Sequence, residues 1–133
     1  MKILSFISAV LLLVACSSQP TWDGMSESEI SAWKEMGVSV EQVQTYVRAG
    51  MSQPQVKEWV DQNFTDPNQI VAWAGKFSAV ESREWLDAGF ELAAASDWSQ
   101  NKFSAAEASD WVSSDFNLDQ AKANRDKGLS PVK

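Results

Sequence analysis

The chain contains no histidine and a single cysteine, Cys16. Without histidine the commonest general base is missing, and so are the usual nucleophile–base pairs built on it. A cysteine–histidine zinc set cannot be assembled, and no disulfide can staple the fold. Basic residues are scarce: 11 stand against 18 acidic ones, for a net charge of −7. That balance argues against a nucleic-acid partner, which would require a basic patch, and against direct electrostatic attachment to anionic lipid. No glycine-rich phosphate loop is present. Paired carboxylates such as Glu81 with Glu84 or Asp87 remain, but at helical spacing they read as a solvated surface. The chain is therefore expected to be no enzyme and to carry no cofactor and no metal. Tryptophan, by contrast, is abundant, with 7 copies. An acidic disordered tail would be poor in aromatics, so a folded domain is expected.

The first fifteen residues stand apart from the fold. Lys2 supplies a positive start, and residues 3–14 form an apolar run broken by Ser5 and Ser8. At about 20 residues for a spanning helix, this run is too short to cross a bilayer. It ends in Leu13-Val14-Ala15-Cys16, which resembles the lipobox of bacterial lipoproteins. The resemblance implies a signal peptide over 1–15, removed to leave Cys16 as the acylated N-terminus, carrying diacylglycerol and palmitate. Each buried methylene contributes about 0.8 kcal/mol, so several acyl chains anchor permanently to membrane lipid. Ser17, where an aspartate would favour inner-membrane retention, implies the outer membrane if the host is Gram-negative. The expected location is the cell envelope, with residues 16–23 as acylated N-terminus and tether.

From residue 24 the chain is one motif repeated about every thirteen residues, seen clearly in Gly50-Met-Ser-Gln-Pro-Gln-Val-Lys-Glu-Trp59. Candidate helix caps are Ser26, Ser39, Ser52, Asp66, Ser78, Glu91, Ser104 and Asn117. Most have Glu or Gln three residues on, the capping-box spacing; Glu91 is the weak member. Seven residues after the caps stand Trp33, Tyr46, Trp59, Trp73, Trp85, Trp98, Trp111 and finally Asn124. Gly37, Gly50, Asn63, Gly89, Lys102, Asp115 and Gly128 sit where helices end. Glycine and asparagine suit a left-handed terminator there, and Lys102 and Asp115 suit it less well.

Apolar residues flank each cap as hydrophobic staples. The pairs are Met25 with Ile30, Val38 with Val43 and Met51 with Val56, then Phe77 with Ser82, Phe90 with Ala95, Phe103 with Ala108 and Phe116 with Ala121. Large partners meet small ones, as close packing requires. Cap spacing slips to fourteen before Asp66 and twelve before Ser78, which predicts a kink or sub-domain boundary near Gly75. Charged Lys34 and Arg125 at the ends of the series fit polar terminal units of a stacked array. The expected fold is all-α, an array of about eight short helices over residues 24–133. Repeats of the form Trp-x-x-x-Gly-apolar-Ser/Thr-x-x-Glu-x-x-x-Trp resemble ones in uncharacterised bacterial proteins, a resemblance that implies no activity.

Constant helical phase predicts the tryptophans to be core, with Trp22, outside the register, and Trp73, next to the slip, as the candidates for ligand contact. Asp115-x-Asn117-x-Asp119 with Asp126 resembles an EF-hand or dockerin calcium loop, but Gln120 stands where that loop needs glycine. A helix over 118–126 would prevent these side chains from wrapping one ion. The sequence thus points to a membrane-anchored lipoprotein acting as a non-enzymatic binding or scaffold module, with an envelope protein or peptide as partner. The rival is a small-ligand or glycan binder with a tryptophan-lined cleft, distinguishable by whether the rings are exposed together.

Overall fold

The computed structural model describes residues 19–131. Cys16 and the lipobox-like stretch lie outside the described residues. Those described are all-helical: α1 (Glu27–Glu35), α2 (Val40–Arg48), α3 (Gln53–Asp61), α4 (Pro67–Ala74), α5 (Ala79–Asp87), α6 (Leu92–Gln100), α7 (Ala105–Ser113) and α8 (Leu118–Asp126).

Each helix starts at the residue expected from its capping chemistry. Ser26, Ser39, Ser78, Ser104 and Asn117 accept from the third helical N–H, and the Glu or Gln there accepts from the cap's own N–H. At Ser52 the reciprocal half dominates: Gln55 Oε1 accepts from the Ser52 N–H at 2.8 Å and from its hydroxyl at 3.0 Å. Asp66 accepts from the Asn68 N–H at 2.9 Å, ahead of Pro67, which has no N–H to satisfy. Glu91 makes no side-chain cap bond.

The helix ends follow a single rule that the staple pattern only half exposes. In α1 the Val38 N–H donates to the Trp33 carbonyl at 3.0 Å and the Gly37 N–H to Lys34 at 2.9 Å. This is a Schellman closure, in which the residue between must be left-handed. The same pair of bonds closes α2, α3, α5, α6, α7 and α8. Lys102 and Asp115, which suit that conformation less well, adopt it nonetheless, with φ of 65° and 62°. Except at α4, whose cap follows Thr65, the apolar residue before each cap thus has two roles. It closes the preceding helix onto its aromatic residue and staples the start of the next.

These closing residues explain the slip. Val38, Met51, Phe64, Phe77, Phe90, Phe103 and Phe116 keep an unbroken spacing of thirteen. Only α4 is displaced within that frame, by the extra Thr65 before its cap and one residue fewer after it. At its end the left-handed residue is dispensed with: Gly75 has φ −69°, and the Phe77 N–H donates to Trp73 at 2.9 Å. The core nevertheless runs straight across Gly75. Trp73 and Phe77 have ring centroids 5.7 Å apart, and Phe77 and Trp85 6.1 Å. One hydrophobic cluster extends from Trp33 to Ala121.

Within each closure the rings meet edge to face, as in Trp59–Phe64, Trp85–Phe90, Trp98–Phe103 and Trp111–Phe116. Such pairs contribute about 0.5–1.5 kcal/mol beyond their burial. Helices also pack on the next but one: α2 on α4, α3 on α5 and α5 on α7. Helices of eight or nine residues are marginal alone. Stacking of neighbours supplies the stability, as in other repeat arrays.

Candidate functional site

Trp33, Tyr46, Trp59, Trp73, Trp85, Trp98 and Trp111 are all 5% exposed or less. Trp73, the second candidate after Trp22 because it adjoins the slip, is a core residue at 3% exposure, held against Phe77. Displacing α4 within the frame moves its cap and its aromatic together, so the ring stays on the buried face. Trp73 therefore presents no surface to a ligand. Trp22 differs: it is partly exposed, packs on the edge of the core, and has the Lys34 ammonium 5.8 Å from its ring. One partly exposed ring is not a tryptophan-lined cleft.

The residues that resemble a calcium loop are committed to backbone structure. Asp115 is the left-handed terminator of α7, Asn117 caps α8, and residues from Leu118 onward are helical. Among the described residues no group of three or more acidic side chains is arranged to hold a metal ion. Glu81 belongs to a capping box, where hydrogen bonds from the Ser78 backbone and then its hydroxyl hold the carboxyl below its ordinary pKa. Asp87 faces Arg83 at 3.5 Å. Tyr46 is buried against Trp33, and burial first, then the nearby Asp66 charge, raises its hydroxyl pKa. None of these is a reactive constellation.

What the surface does offer is a series of junctions between each helix and the next but one. Gln53 of α3 donates to the Glu29 carbonyl of α1 at 3.2 Å. Arg83 of α5 donates from Nε to the Gln62 carbonyl at the end of α3, at 3.0 Å. Its guanidinium lies 4.5 Å from the Phe64 ring centroid. Arg125 of α8 repeats the arrangement on α6, with Nη1 2.8 Å from the Asn101 carbonyl and the guanidinium 4.0 Å from the Phe103 centroid. A cation at a helix C-terminus is favoured by the macrodipole as well as by the ring face. Sequence pattern alone marks Arg125 as a solvated end-unit charge. The signal that could have located its role is the spacing of 22 residues from Arg125 to Phe103, close to the 19 from Arg83 to Phe64.

Grooves also remain between alternate helices. One of about 520 Å³ lies between α1 and α3, lined by Met36, Lys57 and Val60. Another of about 580 Å³ lies between α5 and α7, lined by Glu84, Asp87, Ala88, Ser109 and Asp110. Among the described residues no helix is long and apolar enough to cross a membrane. Compared with protein-family models, curated proteins and solved structures, the chain gives no match.

Proposed function

We propose that the chain is a membrane-anchored envelope lipoprotein whose helical-repeat array serves as a non-enzymatic binding or scaffold module. The observation that supports this most is the fate of the aromatic series. All seven rings at the repeat position are core, so what the surface offers instead is open grooves between alternate helices, lined by apolar and charged side chains together. Grooves of that kind suit side chains of a protein or peptide better than they suit a stacked sugar ring. The lipobox-like Leu13-Val14-Ala15-Cys16 supports the anchor, with membrane lipid held through acylated Cys16.

Two experiments test the two halves. Metabolic labelling with a fatty-acid probe should mark the wild type and not Cys16→Ser, which should also leave the membrane fraction; persistent labelling rules out the anchor. Crosslinking in the native envelope, with mass-spectrometric identification, should recover a protein partner in stoichiometric yield. Recovery of glycan alone would transfer the assignment to a small-ligand binder that uses Trp22.

A further inference from the structure

Helix α4 departs furthest from the repeat frame, and its departures gather at its C-terminus. Gly75 there has φ −69°, open to any residue, and an added Cβ would meet only the Ala72 carbonyl, at 3.6 Å. Backbone geometry therefore does not call for glycine at this position. Phe64, Phe90 and Phe103 are buried, whereas Phe77, which closes α4, is only partly so. Two grooves share Phe77 in their walls. One, of about 330 Å³, is lined by Met51, Val71 and Gly75, with Glu58 also in its wall. The other, of about 220 Å³, lies between the end of α4 and α6 and is lined by Lys76, Ser96, Ser99 and Gln100.

This second groove holds a buried polar atom without a partner. Ser96 is 7% exposed, and among the described residues its hydroxyl has no hydrogen-bond partner. A buried serine within a helix can bond back to the carbonyl four residues earlier, as Ser82 does to Ser78 at 2.7 Å. Ser96 makes no such bond to Leu92. A hydroxyl shut away unpaired is destabilising, so Ser96 calls for a partner group from outside the fold.

Resting on the binding-module reading, we propose that the α4–α6 groove receives the side-chain carboxylate of an aspartate or glutamate from an extended partner segment. A neighbouring apolar side chain of that segment lies across Phe77, against Met51 and Val71. Three features favour this occupant. First, Ser96, Ser99 and Gln100 have the i, i+3, i+4 spacing of one helix face, and with Lys76 they present four side chains able to donate. No carboxylate lines the groove, in a chain with 18 acidic residues. Second, Lys76 stands just past the C-terminal pole of α4, where its charge offsets the dipole that would otherwise repel an anion. The ion pairs among the described residues are Lys57–Asp61 and Arg83–Asp87, which leaves the Lys76 ammonium to the occupant. Third, Phe77 joins the two grooves, and the missing side chain at Gly75 leaves room beside it. Glu58 in the wall of the first groove sets the orientation, with the acid toward α6 and the apolar neighbour toward Met51.

The test uses the full-length chain in non-ionic detergent and blocked Ala-Leu-Glu-Ala and Ala-Glu-Leu-Ala peptides, with glutamine counterparts, followed by amide NMR shifts. At least one glutamate peptide should shift Val71, Phe77, Ser96 and Gln100 saturably. It should bind about tenfold tighter than its glutamine counterpart, as a charge-assisted contact requires. Ser96→Ala should raise the melting temperature, because it removes the unpaired hydroxyl, and yet weaken glutamate-peptide binding about tenfold. A purely structural serine would not give that pair of changes. Gly75→Gln should keep the wild-type melting temperature, since φ −69° suits it, and abolish the shifts by filling the space beside Phe77. Because that variant could fold poorly, Lys76→Gln provides an independent readout and should weaken binding about tenfold. Equal binding of glutamate and glutamine peptides, no saturable binding, or shifts confined to other helices would each overturn the proposal. So would a lowered melting temperature or undiminished binding in Ser96→Ala. Acetate binding as tightly as the peptides would make this a site for a small anion and overturn the peptide occupant. If envelope crosslinking recovers the same partner in equal yield from Gly75→Gln, the groove assignment fails while the scaffold reading stands; if the wild type yields no partner, the scaffold reading itself fails.

Discussion

Arg83 covers the ring of Phe64 across two units of the repeat, its guanidinium carbon 4.5 Å from the ring centroid and its Nε bonded to the Gln62 carbonyl at 3.0 Å. One side chain thereby ties the closure of α3 to the middle of α5. Arg83 is partly exposed, so solvent moderates both contacts. Arg83→Ala should lower stability by about 1–2 kcal/mol, combining a cation–π contact with a charge-assisted bond. Arg83→Lys should recover only part of that, because an ammonium cannot stack and donate at once. Urea melts of the three proteins measure it; an alanine variant with the wild-type midpoint would show the tie to be ornamental.

The left-handed terminators give a second prediction. Lys102 at φ 65° bears a backbone cost that glycine would avoid. Lys102→Gly should therefore stabilise the chain by about 0.5–1 kcal/mol, and Asp115→Gly by less, since aspartate tolerates this region better. Conversely Gly50, at φ 70° with nothing near an added Cβ, should lose about 1 kcal/mol on change to alanine for purely conformational reasons. Thermal melts of the three variants provide the check. A destabilised Lys102→Gly would mean that the lysine side chain contributes more than its strain costs.

Much of this fold was legible because capping and packing are local. Ser26, Ser39 and Ser78 announce helix starts through residues only three positions away, and Trp59 and Trp111 share a phase that only burial on one face explains. The Schellman closures were less visible, because Lys102 and Asp115 do not look like residues that take positive φ. There the tertiary pull of Phe103 and Phe116 onto their tryptophans outweighs local preference. Phe64 was overlooked for a related reason. Thr65 separates its closing role from the staple position just before the cap Asp66. The pairing of alternate helices could not be read at all, since it depends on the turn angle each closure imposes. Hence Arg125 reads from sequence as an end-unit charge, and nothing in the repeat pattern marks Arg83, although both reach helix-end carbonyls at Asn101 and Gln62. The same reason hid the groove beside Ser96.

Acid should loosen particular capping boxes. Hydrogen bonds from Ser26, backbone first and then hydroxyl, hold the Glu29 carboxyl below its ordinary pKa, and Ser78 does the same for Glu81. A carboxyl depressed in the folded state binds its proton more readily when unfolded. Its contribution is complete above the ordinary glutamate value of about 4.3, declines as pH falls through it, and is gone below the folded-state value. Gln42, Gln55 and Gln120 fill the equivalent place in other units and do not titrate. Glu29→Gln with Glu81→Gln should thus fold at neutral pH and show a shallower loss of stability below about pH 4.3. Parallel acid titrations followed by far-UV circular dichroism would decide it; superimposable curves would place the acid sensitivity in other carboxyls.

The remaining prediction concerns the aromatic series, on which the functional proposal leans. Trp59 and Trp111 are each 4% exposed, each edge-on to the phenylalanine that closes its helix, and each bonded to it through the backbone. Truncation of either to alanine should cost about 3–5 kcal/mol, the range for removing a large buried aromatic. Two units on either side share the resulting cavity, so the loss should lower the whole melt rather than split it. Trp59→Tyr should be much milder, because Tyr46 already fills the matching position against Trp33. Trp22, partly exposed and outside the repeat, should change stability by only about 0.5 kcal/mol. A ligand surface predicts the opposite order, with Trp59→Ala and Trp111→Ala folding normally and losing binding. Urea midpoints of the four variants separate these outcomes, and near-wild-type values for the two core truncations would return the tryptophans to the list of binding residues.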